Sequence, residues 1–474
     1  MSKVAKIHTT ACGTEPFDKN FGVGAQKHLV SGGYSPYPRI EKLRKLFRET
    51  PLTLYSTRAL DITDIYKNNE GLPPIIKKAM VTKRFTGHCP LSYIEGELLL
   101  TDVGSPIYGH NLFPEIVNWY YNELRNQPLY EREWNPLFYD EKTKEEILSI
   151  EEYWKGKNIK EIFISRLPET ASKGCAATGG MLVINPSVNV NNGVGHVTPN
   201  YEYVLQRGIG GMKADVQAYL DKLGTPVTLD GVKAMNLYKA ELIVLDAFSN
   251  FLLRYAAFAK EEMAKYESQQ TKDELQHMSE ICEYLGNGGA PRDFWEAVQL
   301  VYTTHVLNVT ECNGNAFALG RMDQYLYPYY KADLEKGTYT KDFMLEIIEY
   351  LYLKLETHGS ICQDEGKGMW RGGSRGWSGM ALIVGGVDAE GNDVTNDLSF
   401  MFMDAMLHVR TANPFITVRY HKNMPYELKV KAAELVRAGL GHPKFLNDNV
   451  CIESLMRYGV PLEEARNYVN IGCV

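Results

Sequence analysis

Met380-Ala381-Leu382-Ile383-Val384 is a short apolar run, and Phe415-Ile416-Thr417-Val418-Arg419-Tyr420 and Tyr468-Val469-Asn470-Ile471-Gly472-Cys473-Val474 are two more. Between and around them the apolar spacing is helical, over 292–308, 341–356, 395–409, 425–439, 450–458 and 461–468. Short strand-like runs separated by helices predict a largely parallel sheet or barrel with helices outside it, an α/β fold. The half of the chain before these runs reads as mainly helical. Ile40, Leu43, Leu46 and Phe47 share one face from Pro38 onward, and further helices are expected at 57–69, 73–85, 113–125, 142–156 and 212–223. A long pair follows at 229–265 and 270–286, with Leu237, Leu242, Leu245, Phe248, Leu252 and Tyr255 as its core face. Residues 1–36 are Gly-rich, weakly periodic and read as an irregular extension.

Composition narrows the class. At 474 residues the chain could hold about three domains, or one large closed α/β barrel. Apolar residues at 44%, with thirty Tyr, seventeen Phe and six Trp, rule out disorder as the main state. A net charge of −7 weighs against nucleic acid as a partner, because phosphate binding needs a basic surface. No uninterrupted apolar run approaches the roughly 18 residues of a spanning helix, so no membrane is expected. The opening residues lack an apolar signal core, which points to the cytoplasm. The eight cysteines are scattered without a CxxC pair, so neither a zinc knuckle nor a disulfide scaffold is expected, and buried thiols are the default. No repeat or Pro/Ser-rich linker forces a domain boundary. The sequence stops inside an apolar run at Val474, as a docked terminal strand or as a chain cut short of its natural length, the second being the expectation.

The familiar metal and nucleotide motifs HExxH and the P-loop do not occur. No histidine pair has metal-ligand spacing on one helix, so no metal is expected. Three other segments carry the chemistry. In Asn191-Asn192-Gly193-Val194-Gly195-His196-Val197-Thr198-Pro199-Asn200-Tyr201, two glycines bring backbone close and leave His196 projecting from a turn before a helix. Thr310-Glu311-Cys312-Asn313-Gly314-Asn315-Ala316-Phe317-Ala318-Leu319-Gly320-Arg321 runs on to Met322–Tyr330. Asn470-Ile471-Gly472-Cys473-Val474 follows Glu463-Glu464-Ala465-Arg466. Asn315 reads either as a turn former after Gly314 or as a neutral hydrogen-bonding group. Arg371 and Arg375, in Met369-Trp370-Arg371-Gly372-Gly373-Ser374-Arg375, could cradle an anion with backbone amides, or belong to a solvated loop over a barrel mouth. Arg410 and Arg419 read as structural ion-pair partners.

Taken in order, the three segments resemble the glycyl radical enzyme superfamily of pyruvate formate-lyase type. The likeness is to its eliminating branch: B12-independent glycerol and propane-1,2-diol dehydratases, choline trimethylamine-lyase, hydroxyproline dehydratase and sulfonate lyases. It covers about residues 38–474, with Gly320–Tyr330 and Val384-Gly385-Gly386-Val387-Asp388 to Asp397 adding support along the length. The resemblance implies a ten-stranded α/β barrel surrounded by helices, of which this chain holds the N-terminal part, 37–474. The Gly-Cys-Val ending resembles the family's Gly-Cys-Val-Glu, which implies Cys473 as the thiyl radical and a following Glu as general base. A sulfur radical suits unactivated C–H bonds beside hydroxyls, since S–H and C–H bonds are similar in strength; the protein must then position the substrate and exclude solvent.

His196 matches the position where the family's diol dehydratases hold a substrate hydroxyl, and choline lyase carries an acid there, which argues against choline. Isethionate lyase is expected to carry Arg and Gln four residues apart where this chain has Asn192 and His196. Asn315-Ala316 departs from the His-Ser of the diol dehydratases, and hydroxyproline dehydratase has Asp at the Asn315 position. The lone Cys473, without an adjacent second cysteine, excludes acyl transfer.

The resulting expectation is a lyase eliminating water from a small 1,2-diol, with Cys473 abstracting hydrogen and His196, Asn192, Asn315, Arg371 and Arg375 holding substrate. A hydroxylated sulfonate such as dihydroxypropanesulfonate is the alternative substrate. A non-catalytic pseudoenzyme or interaction subunit is the alternative of another class. The family implies no bound cofactor. It implies a glycyl radical on a glycine outside this chain, installed by a radical S-adenosylmethionine activase, and a homodimer in the cytoplasm, free or inside a bacterial microcompartment. Cys473 is expected inside a barrel, facing a pocket that His196 also lines.

Overall fold

The computed structural model describes residues 35–103, 109–132, 136–170, 193, 195–312, 316–357 and 379–472. Helix α1, Pro38–Glu49, starts on a proline whose missing N–H costs nothing at a first turn, and it buries Ile40, Leu43 and Phe47. Thr50 ends it in an extended conformation, as the residue before Pro51 must. Three short strands follow: β1 (Leu52–Tyr55), β2 (Gly109–Asn111) and β3 (Leu137–Phe138), all parallel in the order β2-β1-β3. Helices α2 (Thr57–Asn68) and α3 (Pro74–His88) separate β1 from β2, and α4 (Trp119–Asn126) separates β2 from β3. The helix expected at 113–125 is thus confined to α4. The stretch expected at 142–156 is two helices, Glu141–Ser149 and Glu151–Trp154.

Helix α5, Tyr201–Leu223, begins eleven residues ahead of the start the spacing suggests, because the Asn200 side chain caps it by accepting from Tyr203 N–H. It is broken at Gly208, where φ is 57°. A Cβ at Gly208 would lie 2.6 Å from the Gly289 carbonyl oxygen, so only glycine admits the turn that packs there. Helix α6, Leu229–Glu262, is long and apolar enough by length and composition to cross a membrane, although no uninterrupted apolar run reaches that length. It buries Ala247, Phe251, Leu252, Tyr255 and Ala259 in the main core, flanked by α3 and by α7 (Gln269–Gly286).

From α8 (Phe294–Cys312) onward the architecture becomes the α/β one expected. After α9 (Lys341–Glu356) come β4 (Ala381–Gly385), α10 (Asp397–Val409), β5 (Phe415–Tyr420), α11 (Tyr426–Arg437) and β6 (Lys444–Asn447). These strands are parallel in the order β4-β5-β6, with Leu382 opposite Ile416 and Val418 opposite Phe445. Two further segments extend the layer beyond β4. Gly320 pairs in parallel with Leu382, and Val197 with Phe317, through Ala318 N–H to Val197 O (2.9 Å) and Leu319 N–H to Ala381 O (2.7 Å). Every residue of β4 is buried, as in strands covered on both faces. The chain closes with α12 (Asp448–Arg457) and α13 (Leu462–Arg466). The run from Tyr468, expected as a third strand, contains no strand over 468–472.

Candidate active site

Four segments meet at the start of this parallel layer, and each enters it through a left-handed residue. The φ values are 56° at His196, 60° at Ala316, 68° at Gly379 and 69° at Gly472. Non-glycine residues are uncommon there and histidine is among the tolerated ones. A Cβ on Gly472 would fall 2.8 Å from His196 Cδ2, 3.0 Å from its Nε2 and 3.4 Å from Ala316 Cβ. A Cβ on Gly379 would fall 3.4 Å from Ala316 Cβ and 3.9 Å from Gly472 Cα. The imidazole of His196, an exposed residue, therefore lies against the bare backbone of Gly472, one residue before Cys473.

Of the residues the sequence singles out, His196 is among those described. Asn192, Asn315, Arg371, Arg375 and Cys473 lie outside the described residues. Their neighbours Gly193, Ala316 and Gly472 are described, and Ala316 and His196 both border Gly472. No group of His, Cys, Asp and Glu suited to a metal ion occurs among the described residues.

Buried arginines hold the segment that leads into Gly472. Arg419 at the end of β5 is fully buried and grips Asp448 with two bonds, Nε to Oδ1 at 2.8 Å and Nη2 to Oδ2 at 2.9 Å. It is an ion-pair partner, as expected. Its remaining donors reach the carbonyls of Arg466 (2.8 Å) and Tyr468 (3.4 Å). Arg321 reaches Asn467 Oδ1 at 2.8 Å and the carbonyl of Val387 at 3.0 Å, and burial pulls its guanidinium below the ordinary arginine range. The start of 468–472 is thus held by side chains: Arg419 takes the Tyr468 carbonyl, and Arg321 takes the side chain of the preceding Asn467.

Sequence reasoning missed two polar groups here. The Asn470 amide oxygen and nitrogen, and the Thr198 hydroxyl, are buried without a hydrogen-bond partner among the described residues. Thr198 and Val469, the residue before Asn470, both border Gly320, where a Cβ would meet Thr198 Cγ2 at 3.1 Å and Val469 Cγ1 at 3.7 Å. Such orphaned groups cost about 1–3 kcal/mol each, and composition or spacing gives no sign of them. A groove of ≈ 550 Å³ between α3, α5 and α6 lies elsewhere, lined by Ile75, Met212, Leu237, Tyr238 and Leu245.

The family model described as pyruvate formate lyase-like matches residues 33–474. The (2S)-3-sulfopropanediol dehydratase of Klebsiella oxytoca is 38% identical over 470 residues, 98% of this chain and 56% of that protein. The glycerol-bound B12-independent glycerol dehydratase from Clostridium butyricum superimposes with a TM-score of 0.84 at 31% identity, over 94% of this chain and 55% of that one. A structure of 1,2-propanediol dehydration in Roseburia inulinivorans does so with a TM-score of 0.86 at 30% identity, over 94% and 55%. The chain thus spans about half the length of the relatives it matches.

Proposed function

The chain belongs to the pyruvate formate lyase-like family, in its glycyl radical dehydratase and lyase branch, and from that premise we propose that it carries the thiyl half of a radical dehydratase site. In this reading Cys473 takes a hydrogen atom from a hydroxyl-bearing carbon, leaving S–H and a carbon radical. The neighbouring hydroxyl then departs as water with the proton released by the first hydroxyl. The product radical recovers its hydrogen from the S–H, so no electron is consumed. His196 anchors the reacting hydroxyl and keeps it beside the sulfur, which is positioning rather than polar activation. The observation that carries this is the contact of the His196 ring with Gly472 beside Ala316.

The substrate class that fits best is a vicinal diol bearing a sulfonate. The Klebsiella relative acts on such a compound by name and matches nearly the whole chain. Asn315-Ala316 stands where the neutral-diol dehydratases carry His-Ser, and Arg371 with Arg375 supplies two guanidinium groups for an anionic head. A radical S-adenosylmethionine activase as partner, a glycyl radical as its product, a homodimer and a cytoplasmic setting, free or in a microcompartment, belong to the same proposal.

The test is His196→Ala in the full-length polypeptide encoded by the gene, activated anaerobically and assayed on 3-sulfopropanediol, glycerol and propane-1,2-diol. Turnover should fall by roughly 30- to 1000-fold, the cost of one positioned hydrogen bond in a dry site of about 2–4 kcal/mol. Glycyl spins counted by electron paramagnetic resonance should be unchanged, and His196→Gln should recover part of the rate. Full turnover in His196→Ala at parental spin count would show the histidine to be structural.

A further inference from the structure

We infer that Arg419, Asp448 and Tyr468 form a positioning unit that sets where the cysteine loop stands relative to His196. This deepens the radical reading above and rests on it.

The three residues come from the end of β5, the first turn of α12 and the segment after α13, and all three interlock. Asp448 fixes the plane of the Arg419 guanidinium by the two bonds already described, and Tyr468 donates its phenol O–H to Asp448 Oδ1 at 2.8 Å. The Tyr468 ring lies flat over the same guanidinium, 4.1 Å from ring centre to Cζ. The oriented cation then holds the carbonyls of Arg466 and Tyr468 from below. The site is cut to fit. A Cβ on Gly386 would lie 2.6 Å from Arg419 Nε, so a glycine makes the room that the guanidinium occupies. Arg466 extends the grip outward by donating to the Ala389 carbonyl at 2.6 Å.

Only Val469, Asn470, Ile471 and Gly472 separate this clamp from Cys473. Gly472 lies close against the His196 ring, so a small rotation at Tyr468 changes the separation of the loop from that ring. Asp448 takes two of the guanidinium's donors, and others are directed at backbone carbonyls of this one segment. The phenol bond and the two carbonyl grips are the features that aim the loop. Displacements of about 1 Å at a reacting centre cost on the order of 100-fold in rate.

Two variants of the full-length polypeptide test this, each activated and measured for glycyl spins, kcat and KM. Arg419→Lys keeps the charge opposite Asp448 and loses the fork. Tyr468→Phe keeps the ring and loses only the phenol bond, so it decides the matter if Arg419→Lys does not fold. Expected is a fall in kcat per spin of roughly 100-fold for Arg419→Lys and about 10-fold for Tyr468→Phe, with KM within about twofold of the parent. Parental kcat per spin in Tyr468→Phe, or a loss of turnover accounted for wholly by lost spins, overturns the inference and leaves the radical reading standing. A parent that accumulates no glycyl radical under the activase defeats the radical reading itself.

Discussion

Two places in this molecule bury many polar groups, and they are built on opposite terms. In the first, Lys354 of α9 is fully enclosed and donates to Glu97 Oε1 at 3.1 Å and to Asp102. Tyr302 of α8 and Tyr255 of α6 donate to Asp102 and its carbonyl, each at 2.8 Å, and Ile94 N–H covers the other oxygen of Glu97. Burial alone would lower the Lys354 ammonium, but the charges of Asp102 and Glu97 outweigh it and raise it above the ordinary lysine range. Burial likewise raises the Glu97 carboxyl, against the pull of Lys354. The charged groups of this knot, Lys354, Glu97 and Asp102, all have partners within the chain. In the second, around Gly472, arginines clamp the backbone, yet Asn470 and Thr198 have no hydrogen-bond partner among the described residues. Buried polar groups are ordinarily paired, so the two regions differ in how far the described chain satisfies its own polar atoms.

That contrast can be broken first at Lys354. Lys354→Met in the full-length polypeptide leaves Glu97 and Asp102 buried with their shared cation removed. The expected loss is about 3–5 kcal/mol in denaturant unfolding, the usual cost of halving a buried ion pair. A loss under 1 kcal/mol would mean that water or protonation satisfies the carboxylates and that the knot is not a joint.

Gly472→Ala comes next. The new methyl would sit 2.8 Å from the His196 ring at a residue whose φ is 69°. A stability loss of about 1–2 kcal/mol is expected from the left-handed backbone, together with a much larger fall in turnover as His196 is displaced. Normal turnover would sever the link between His196 and the cysteine loop.

The smallest effect sharpens the comparison most. Asn470→Leu replaces a buried amide that has no partner among the described residues with an apolar group of similar size, so the folded state should gain about 1 kcal/mol in denaturant unfolding. A destabilisation of about 2 kcal/mol would show that Asn470 is partnered in the folded protein, and the two regions would cease to differ.

Much of the fold could be read before the structure, and the parts that could not share a cause. Helix α1 announced itself by Pro38 and its apolar spacing, and β4 and β5 by runs of five and six residues. Strands β1, β2, β3 and β6 were missed because two to four residues are too few to display a period. The run from Tyr468 has strand composition, yet over 468–472 it forms no strand, and Arg419, distant in sequence, takes the Tyr468 carbonyl.

The amino-acid sequence by itself determined the α/β class, the three motif segments and the choice of His196, because periodicity and short motifs are local properties. Tertiary structure alone decided that His196 and Ala316 both border Gly472, that a guanidinium on β5 grips the carbonyls of Arg466 and Tyr468, and that Asn470 and Thr198 have no partner among the described residues. Those facts depend on which backbone atoms are closed off from water and by what, and no stretch of chain carries that information until distant segments have packed together.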